Sequence, residues 1–274
     1  MEYLAVKMKE NEMLEIFIKE NKEKETIVFI HGSSFGAWCW KEHFIPFFQS
    51  KGYGICCFSF KGHGESGGKG EIYKFGINDY IEDCKKILQK LDNSCVIVAH
   101  SVGCIIALKL LDLLPDISSK IVLLAPATNR GMFKNYISIF GKHISSYNLS
   151  DIYFSNRLNK SVIQNYEEKF AKVSFKLSIQ LLKPFILPYL PNDKKIIIIG
   201  SFADRGIILN DLVKMGNDLG ATTVIFPNIC HAMMLDPDWI IVAETILGFI
   251  QNKKQEVEKY RICKRENNQK SSLD

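Results

Sequence analysis

The chain contains no CxxC pair. Its cysteines, Cys39, Cys56, Cys57, Cys84, Cys95, Cys104, Cys230 and Cys263, are scattered, and several fall within apolar segments. That spacing excludes a paired-thiol zinc or redox motif. It favours reduced thiols acting as small hydrophobes over a disulfide framework, which points to a cytoplasmic location. A long apolar run is also lacking. IIIIG at 196–200 is short, and Lys109 interrupts Cys104–Leu114, whereas a helix needs roughly 20 apolar residues to cross a bilayer. The opening MEYLAVKMKENEM has no apolar core or cleavage pattern of a secretory signal. A soluble protein with no stable membrane insertion is expected. Charge excess is small too. Of the net +5, residues 251–274 contribute +3, from seven Lys/Arg and four Asp/Glu, so the body is close to neutral and offers no nucleic-acid-binding face. No His/Cys/Asp cluster has metal-ligand spacing, no internal repeat is visible, and no cofactor is expected.

What is present is an alternation of strands and helices. YLAVKM and LEIFIKE read as an opening hairpin. TIVFI (26–30), GICCFSF (54–60), CVIVA (95–99), KIVLLA (120–125), KIIIIG (195–200) and TTVIF (222–226) follow as strands. Helices are predicted over Trp38–Gln49, Asn78–Leu91, Cys104–Leu114, Leu209–Leu219 and Asp238–Ile250. Strands without polar alternation, separated by helices, predict a mostly parallel, doubly wound α/β sheet covered on both faces. Residues 128–190 break the rhythm. They read as helical pieces over Met132–Tyr147, Ser161–Val173 and a stretch to Leu187, and an insertion of about 60 residues exceeds any simple loop. The predicted organisation is therefore a core over 1–127, a helical cap over 128–190, the rest of the core over 191–252 and a flexible basic tail over 253–274.

Three reactive groups follow three of these strands. Ser101 follows CVIVA, Asp204 follows KIIIIG in GSFADRG, and His231 follows TTVIF in PNICHAMMLD. All three fall on the edge where a doubly wound sheet places its sites. A serine hydroxyl is a weak nucleophile until a base takes its proton. Imidazole titrates in the right range, and a carboxylate can hold the ring's tautomer. A tight strand–turn–helix bend at AHSVG would expose the hydroxyl and aim the Val102 N–H at the reacting oxygen. Ser33, after Gly32, is the expected second donor, with Ser34 the less favoured choice.

Bland readings compete at each position. Ser101 could be a helix N-cap, His231 a structural histidine, and Asp204 a loop carboxylate with Asp211 as its alternative. His31, His63 and His100 are read as structural. Gly62, Gly64 and Gly67 spell G-x-G-x-x-G after a strand, but GGKGEIY does not look like the helix a dinucleotide fold needs there.

HGSSFGAW, FKGHGES, AHSVG and HAMMLDPDW occur in that order over roughly 25–252, and with them the chain resembles the α/β-hydrolase fold superfamily. The resemblance is nearest to serine esterases and monoacylglycerol-lipase-like or lysophospholipase-like members. It departs at Ala99, where the bend usually has glycine, at Cys230, also often glycine, and at Lys61, where arginine is common. The resemblance implies an eight-stranded sheet with an inserted cap, catalytic Ser101, Asp204 and His231, and oxyanion donors Ser33 and Val102. It implies hydrolysis of a small or medium acyl ester by a monomer or homodimer. A thioesterase, perhydrolase, C–C bond hydrolase or non-catalytic ligand receptor would use the same framework. Ser34, Trp38, Phe133 and Phe140 are the expected substrate-pocket residues.

Overall fold

A computed structural model describes residues 13–91, 94–140, 148–190, 193–253, 255 and 257 of the chain. Seven strands form one sheet: β1 (Ile16–Lys19), β2 (Thr26–Ile30), β3 (Gly54–Phe58), β4 (Cys95–His100), β5 (Ser118–Leu124), β6 (Lys195–Ser201) and β7 (Thr222–Phe226). Their spatial order is β1-β3-β2-β4-β5-β6-β7. Only β1 is antiparallel, with Ile16 opposite Phe58 on β3. The first strand of the expected hairpin and of an eight-stranded sheet, YLAVKM, lies outside the described residues, so seven strands replace eight among those described.

Ten α-helices surround the sheet among the described residues: α1 (Trp38–Lys41), α2 (Phe44–Ser50), α3 (Ile77–Leu88), α4 (Val102–Leu113), α5 (Phe133–Phe140), α6 (Leu149–Tyr153), α7 (Lys160–Glu167), α8 (Phe175–Leu182), α9 (Leu209–Asp218) and α10 (Trp239–Ile250). The single helix expected over Trp38–Gln49 is two. Pro46 has no N–H to bond Glu42, so the helix stops and restarts, and proline falls within the first turn of α2, where that donor is not needed. The expected Met132–Tyr147 helix ends at Phe140, and 141–147 lie outside the described residues. A short α6, capped by the Asn148 side chain on the Ser150 N–H, was not expected at all.

The strands are buried on both faces, which is why they carry no polar alternation. Val28 and Ile30 join Ile97, Ala99 and residues of α3, α4 and α9 on one face. Ile27 and Phe29 join Val96, Val98 and residues of α1, α2 and α10 on the other. From β2 the chain runs outward to β3 and then returns to place β4 on the opposite side of β2. The carboxyl ends of β2 and β4 therefore flank a topological switch point, the place where such a sheet leaves a crevice. Four helices, α5 to α8, lie in sequence between β5 and β6. No helix among the described residues is long and apolar enough to cross a membrane.

Candidate active site

Ser101 sits at the end of β4 with φ 52° and ψ −119°, a left-handed backbone that a side chain adopts only under constraint. The constraint is visible. Its N–H donates to the Leu124 carbonyl at 2.9 Å, and its own carbonyl accepts from Cys104 and Ala127 N–H groups, both at 3.1 Å. Two glycines permit the bend. A Cβ on Gly103 would stand 2.5 Å from the His31 carbonyl oxygen, and one on Gly32 would stand 2.8 Å from the Ser101 Cβ. The start of α4 can thus press against the end of β2. Ala99 is fully buried in β4, and the bend forms with alanine there.

His231, 130 residues further on, reaches this point from the loop after β7. Its Nε2 lies 3.1 Å from the Ser101 Oγ, a distance at which the hydroxyl donates to the ring. Its Nδ1 lies 3.1 and 3.0 Å from the two Asp204 carboxylate oxygens. Asp204 Oδ1 is itself held by the Gly206 N–H at 2.7 Å and the Ile207 N–H at 3.2 Å. The carboxylate side therefore fixes the proton on Nδ1 and leaves Nε2 free to accept. Asp211, the alternative acid, lies in the first turn of α9.

Four residues brace the imidazole. The buried His100 Nε2 is 3.0 Å from the His231 carbonyl and donates to it. Burial, followed by the nearby His231, pushes His100 well below the usual histidine range, so the ring is neutral and its Nε2 proton points at that carbonyl. The Tyr153 ring stacks on His231 with centroids 5.5 Å apart, and the Tyr153 carbonyl accepts from the Ala232 N–H at 2.9 Å. Asp236 accepts from the Cys230 N–H at 2.8 Å and is held in turn by Arg157. The sequence reading anticipated His100 as structural. It missed Tyr153, Arg157 and the role of Asp236, although Asp236 stands in the quoted HAMMLDPDW run.

The Ser101 hydroxyl faces a cavity of about 510 Å³. Ser33, Ser101, Val102 and His231 form its floor, and Met132, Ile152, Val173, Phe175, Ile179 and Leu182 are among its walls. Among the described residues neither the Ser33 nor the Val102 N–H donates to another protein group. The other expected pocket residues fall elsewhere. Ser34 is buried, with its carbonyl accepting from the Ala171 N–H. Trp38 packs against Phe35, Tyr166 and Phe170. Phe133 is exposed and is absent from the cavity wall. Phe140 ends α5, and its side chain lies outside the described residues.

His31 donates from Nδ1 to the Gly32 carbonyl and accepts the Phe60 N–H at Nε2. His63, whose Nδ1 meets the Lys61 carbonyl, is pushed down to about 4 by burial. The segment after Gly62, Gly64 and Gly67 forms a 3-10 turn over Lys69–Lys74 and no α-helix opens there, so the dinucleotide pattern lacks its phosphate-binding helix. Seven cysteines are free and buried, and Cys263 lies outside the described residues. Among the described residues no three His, Cys, Asp or Glu side chains gather as a metal-ligand group.

Comparison with known proteins agrees with this fold. A family model described as the alpha/beta hydrolase family matches residues 27–243. A Mycoplasma genitalium protein provisionally named esterase/lipase 2 is 26% identical over 167 residues, which is 60% of this chain and 58% of that relative's length. The fold superposes on an esterase from Exiguobacterium antarcticum with a TM-score of 0.72 at 15% identity, covering 91% of this chain and 98% of the other. It also superposes on a monoacylglycerol lipase from Paleococcus ferrophilus, with a TM-score of 0.68 at 16% identity, covering 87% and 98%. At these identities the structural likeness is one of fold.

Proposed function

The chain belongs to the alpha/beta hydrolase family, and on that premise we propose that it is a serine hydrolase of the esterase/lipase type, cleaving a small or medium acyl carboxylic ester. The observation that carries the reading is the 3.1 Å approach of His231 Nε2 to Ser101 Oγ, with Asp204 on the opposite ring nitrogen, at the floor of an apolar cavity.

In this mechanism Ser101 Oγ attacks the ester carbonyl carbon while its proton passes to His231 Nε2. Asp204 stabilises the imidazolium. The carbonyl oxygen becomes an oxyanion that takes hydrogen bonds from the Ser33 and Val102 N–H groups, each contributing about 3 kcal/mol to the transition state. The tetrahedral species collapses, the C–O bond breaks, and His231 returns the proton to the departing alcohol. The acyl group now sits on Ser101. A water then gives its proton to His231 and attacks the acyl carbon, and the acid leaves as Ser101 regains its proton.

Residues 128–190 serve as the cap of this site in the same reading, because Met132, Ile152, Phe175 and Ile179 from that insertion wall the cavity. Their apolar character suits an acyl chain. A fluorophosphonate probe and a series of p-nitrophenyl esters of rising acyl length test the proposal together. Labelling should require Ser101, and turnover should peak at a short or medium chain. A chain that neither labels nor turns over any ester of the series does not work this way.

A further inference from the structure

We propose that Tyr153, from the insertion between β5 and β6, is a positioning residue of the reaction: the face of its ring steadies the positive charge that His231 carries while the proton is in transit. This role rests on the hydrolytic reading above for the proton transfer itself. It assigns part of the work on the base to a side chain outside the Ser101, Asp204 and His231 set.

Both nitrogens of His231 are engaged at the edges of its ring, Nε2 with Ser101 and Nδ1 with Asp204. The ring face meets Tyr153, the two planes inclined by only 23° with centroids 5.5 Å apart. Phe35 lies 5.0 Å from Tyr153 and 5.5 Å from His100, and His100 lies 4.9 Å from His231. Four rings thus close a cycle. Phe35 follows β2, His100 ends β4 and His231 follows β7, so Tyr153 is the member of the cycle that the insertion supplies. Phe170 backs it edge-on at 5.7 Å. The Tyr153 carbonyl accepts the Ala232 N–H, a bond to the His231 loop that no exchange of the side chain removes.

An aromatic face carries negative potential and attracts a cation within about 6 Å of the ring centre, most strongly where water is excluded. His231 is buried, so water screens its charge little. The ionisable groups that meet the imidazole are Asp204, Ser101, His100 and Tyr153, with Cys230 before it in the chain. Burial keeps His100 neutral. Burial, followed by Asp236, pushes the Cys230 thiol up, so it is neutral too. Among these groups Asp204 alone brings a full charge to the ring, and it does so at one edge. The Tyr153 face adds a second support, which gains strength once His231 is protonated. It therefore favours the transition state over the resting site.

Fluorine draws electron density from a ring while nearly keeping its size, so the test compares Tyr153→Phe with the same chain carrying a trifluorinated phenylalanine at that position. Tyr153→Phe should keep kcat on a p-nitrophenyl ester within about threefold of the unmodified chain. The fluorinated chain should lose about tenfold in kcat, with KM and melting temperature close to those of Tyr153→Phe. NMR of ring-labelled histidine should show His231 titrating about one pH unit lower in the fluorinated chain than in Tyr153→Phe, the equivalent of that tenfold. The proposal is overturned if fluorination moves neither kcat nor the titration, or if Tyr153→Phe loses as much as the fluorinated chain, which would assign the effect to the hydroxyl. The titration needs no turnover. An unmodified chain that cleaves no ester ends the hydrolytic reading, whereas an unmoved titration in a chain with full turnover ends this one alone.

Discussion

Arg157 donates to the fully buried carboxylate of Asp236 at 2.7 Å, and Asp236 in turn accepts the N–H of Cys230, the residue before His231. The same guanidinium reaches Asp238 and, at 2.9 Å, the Asn228 carbonyl. A side chain from the insertion between β5 and β6 thereby clamps the loop that carries the imidazole. The expected consequence is that Arg157→Ala lowers ester turnover by about ten- to a hundredfold, because small displacements of a reacting group are costly. Arg157→Lys should restore little, since a point charge cannot fork across three acceptors. Steady-state kinetics of both variants check this, and an unchanged kcat in Arg157→Ala would refute the clamp.

Ser101 combines a reactive position with a strained one, and the two effects separate by mutation. Ser101→Ala should reduce turnover by about four to six orders of magnitude with the fold intact. Ser101→Gly should be equally inactive yet about 1 kcal/mol more stable than Ser101→Ala, because glycine accepts the φ of 52° without a Cβ penalty. Thermal melts of the two variants read the difference directly, and equal melting temperatures would argue against strain at the bend.

Two glycines should respond differently to alanine. At Gly103 the new Cβ would meet backbone carbonyls of His31 and Ile30 at 2.5 and 2.8 Å, which cannot yield, so a loss of about 3 kcal/mol in stability is expected. At Gly206 the Cβ would meet the His231 Nδ1 at 3.1 Å. There the prediction is a loss of turnover with little change in denaturant midpoint, since the ring can give way but only by leaving its alignment with Ser101.

Three buried histidines set the response to acid. Burial holds His31 and His100 well below 6.5 and His63 at about 4. In the unfolded chain each would titrate near 6.5, so below that pH the unfolded state takes up protons that the folded state refuses, and stability falls as pH drops. The share from His63 is complete near pH 4 and is on the order of 3 kcal/mol. Asp83 acts the other way. Burial, opposed by Lys61, raises it to about 6, so its share favours the fold at lower pH and is lost as pH rises through about 6. Three groups outweigh one. Melting temperature should fall between about pH 7 and about pH 4.5, and His63→Phe should flatten the slope. A flat profile in the unmodified chain would contradict the buried neutral assignment.

Much of the framework is local in origin and so was legible along the chain. TIVFI, CVIVA, KIIIIG and TTVIF are apolar on both sides, and each is a strand within a residue or two of the expected limits. The bend at AHSVG could be read because small residues flank one hydroxyl between a strand and a helix. The break at Glu42–His43 could in principle have been read from Pro46. The wall of the cavity could not. Trp38 and Phe133 have the right chemistry for a pocket, but Trp38 turns into an aromatic cluster and Phe133 turns to solvent.

The positions of the strands along the chain, the alternation with helices and the three residues at strand ends were determined by the amino-acid sequence alone, because each follows from neighbours a few positions apart. Tertiary structure alone decided that Ser33, and not Ser34, faces the cavity, that Arg157 reaches Asp236, and that Phe175, Ile179 and Leu182 of α8 wall the cavity. Those facts depend on where the chain returns after long excursions, as between Ser101 and His231, and no local pattern of polarity encodes that return.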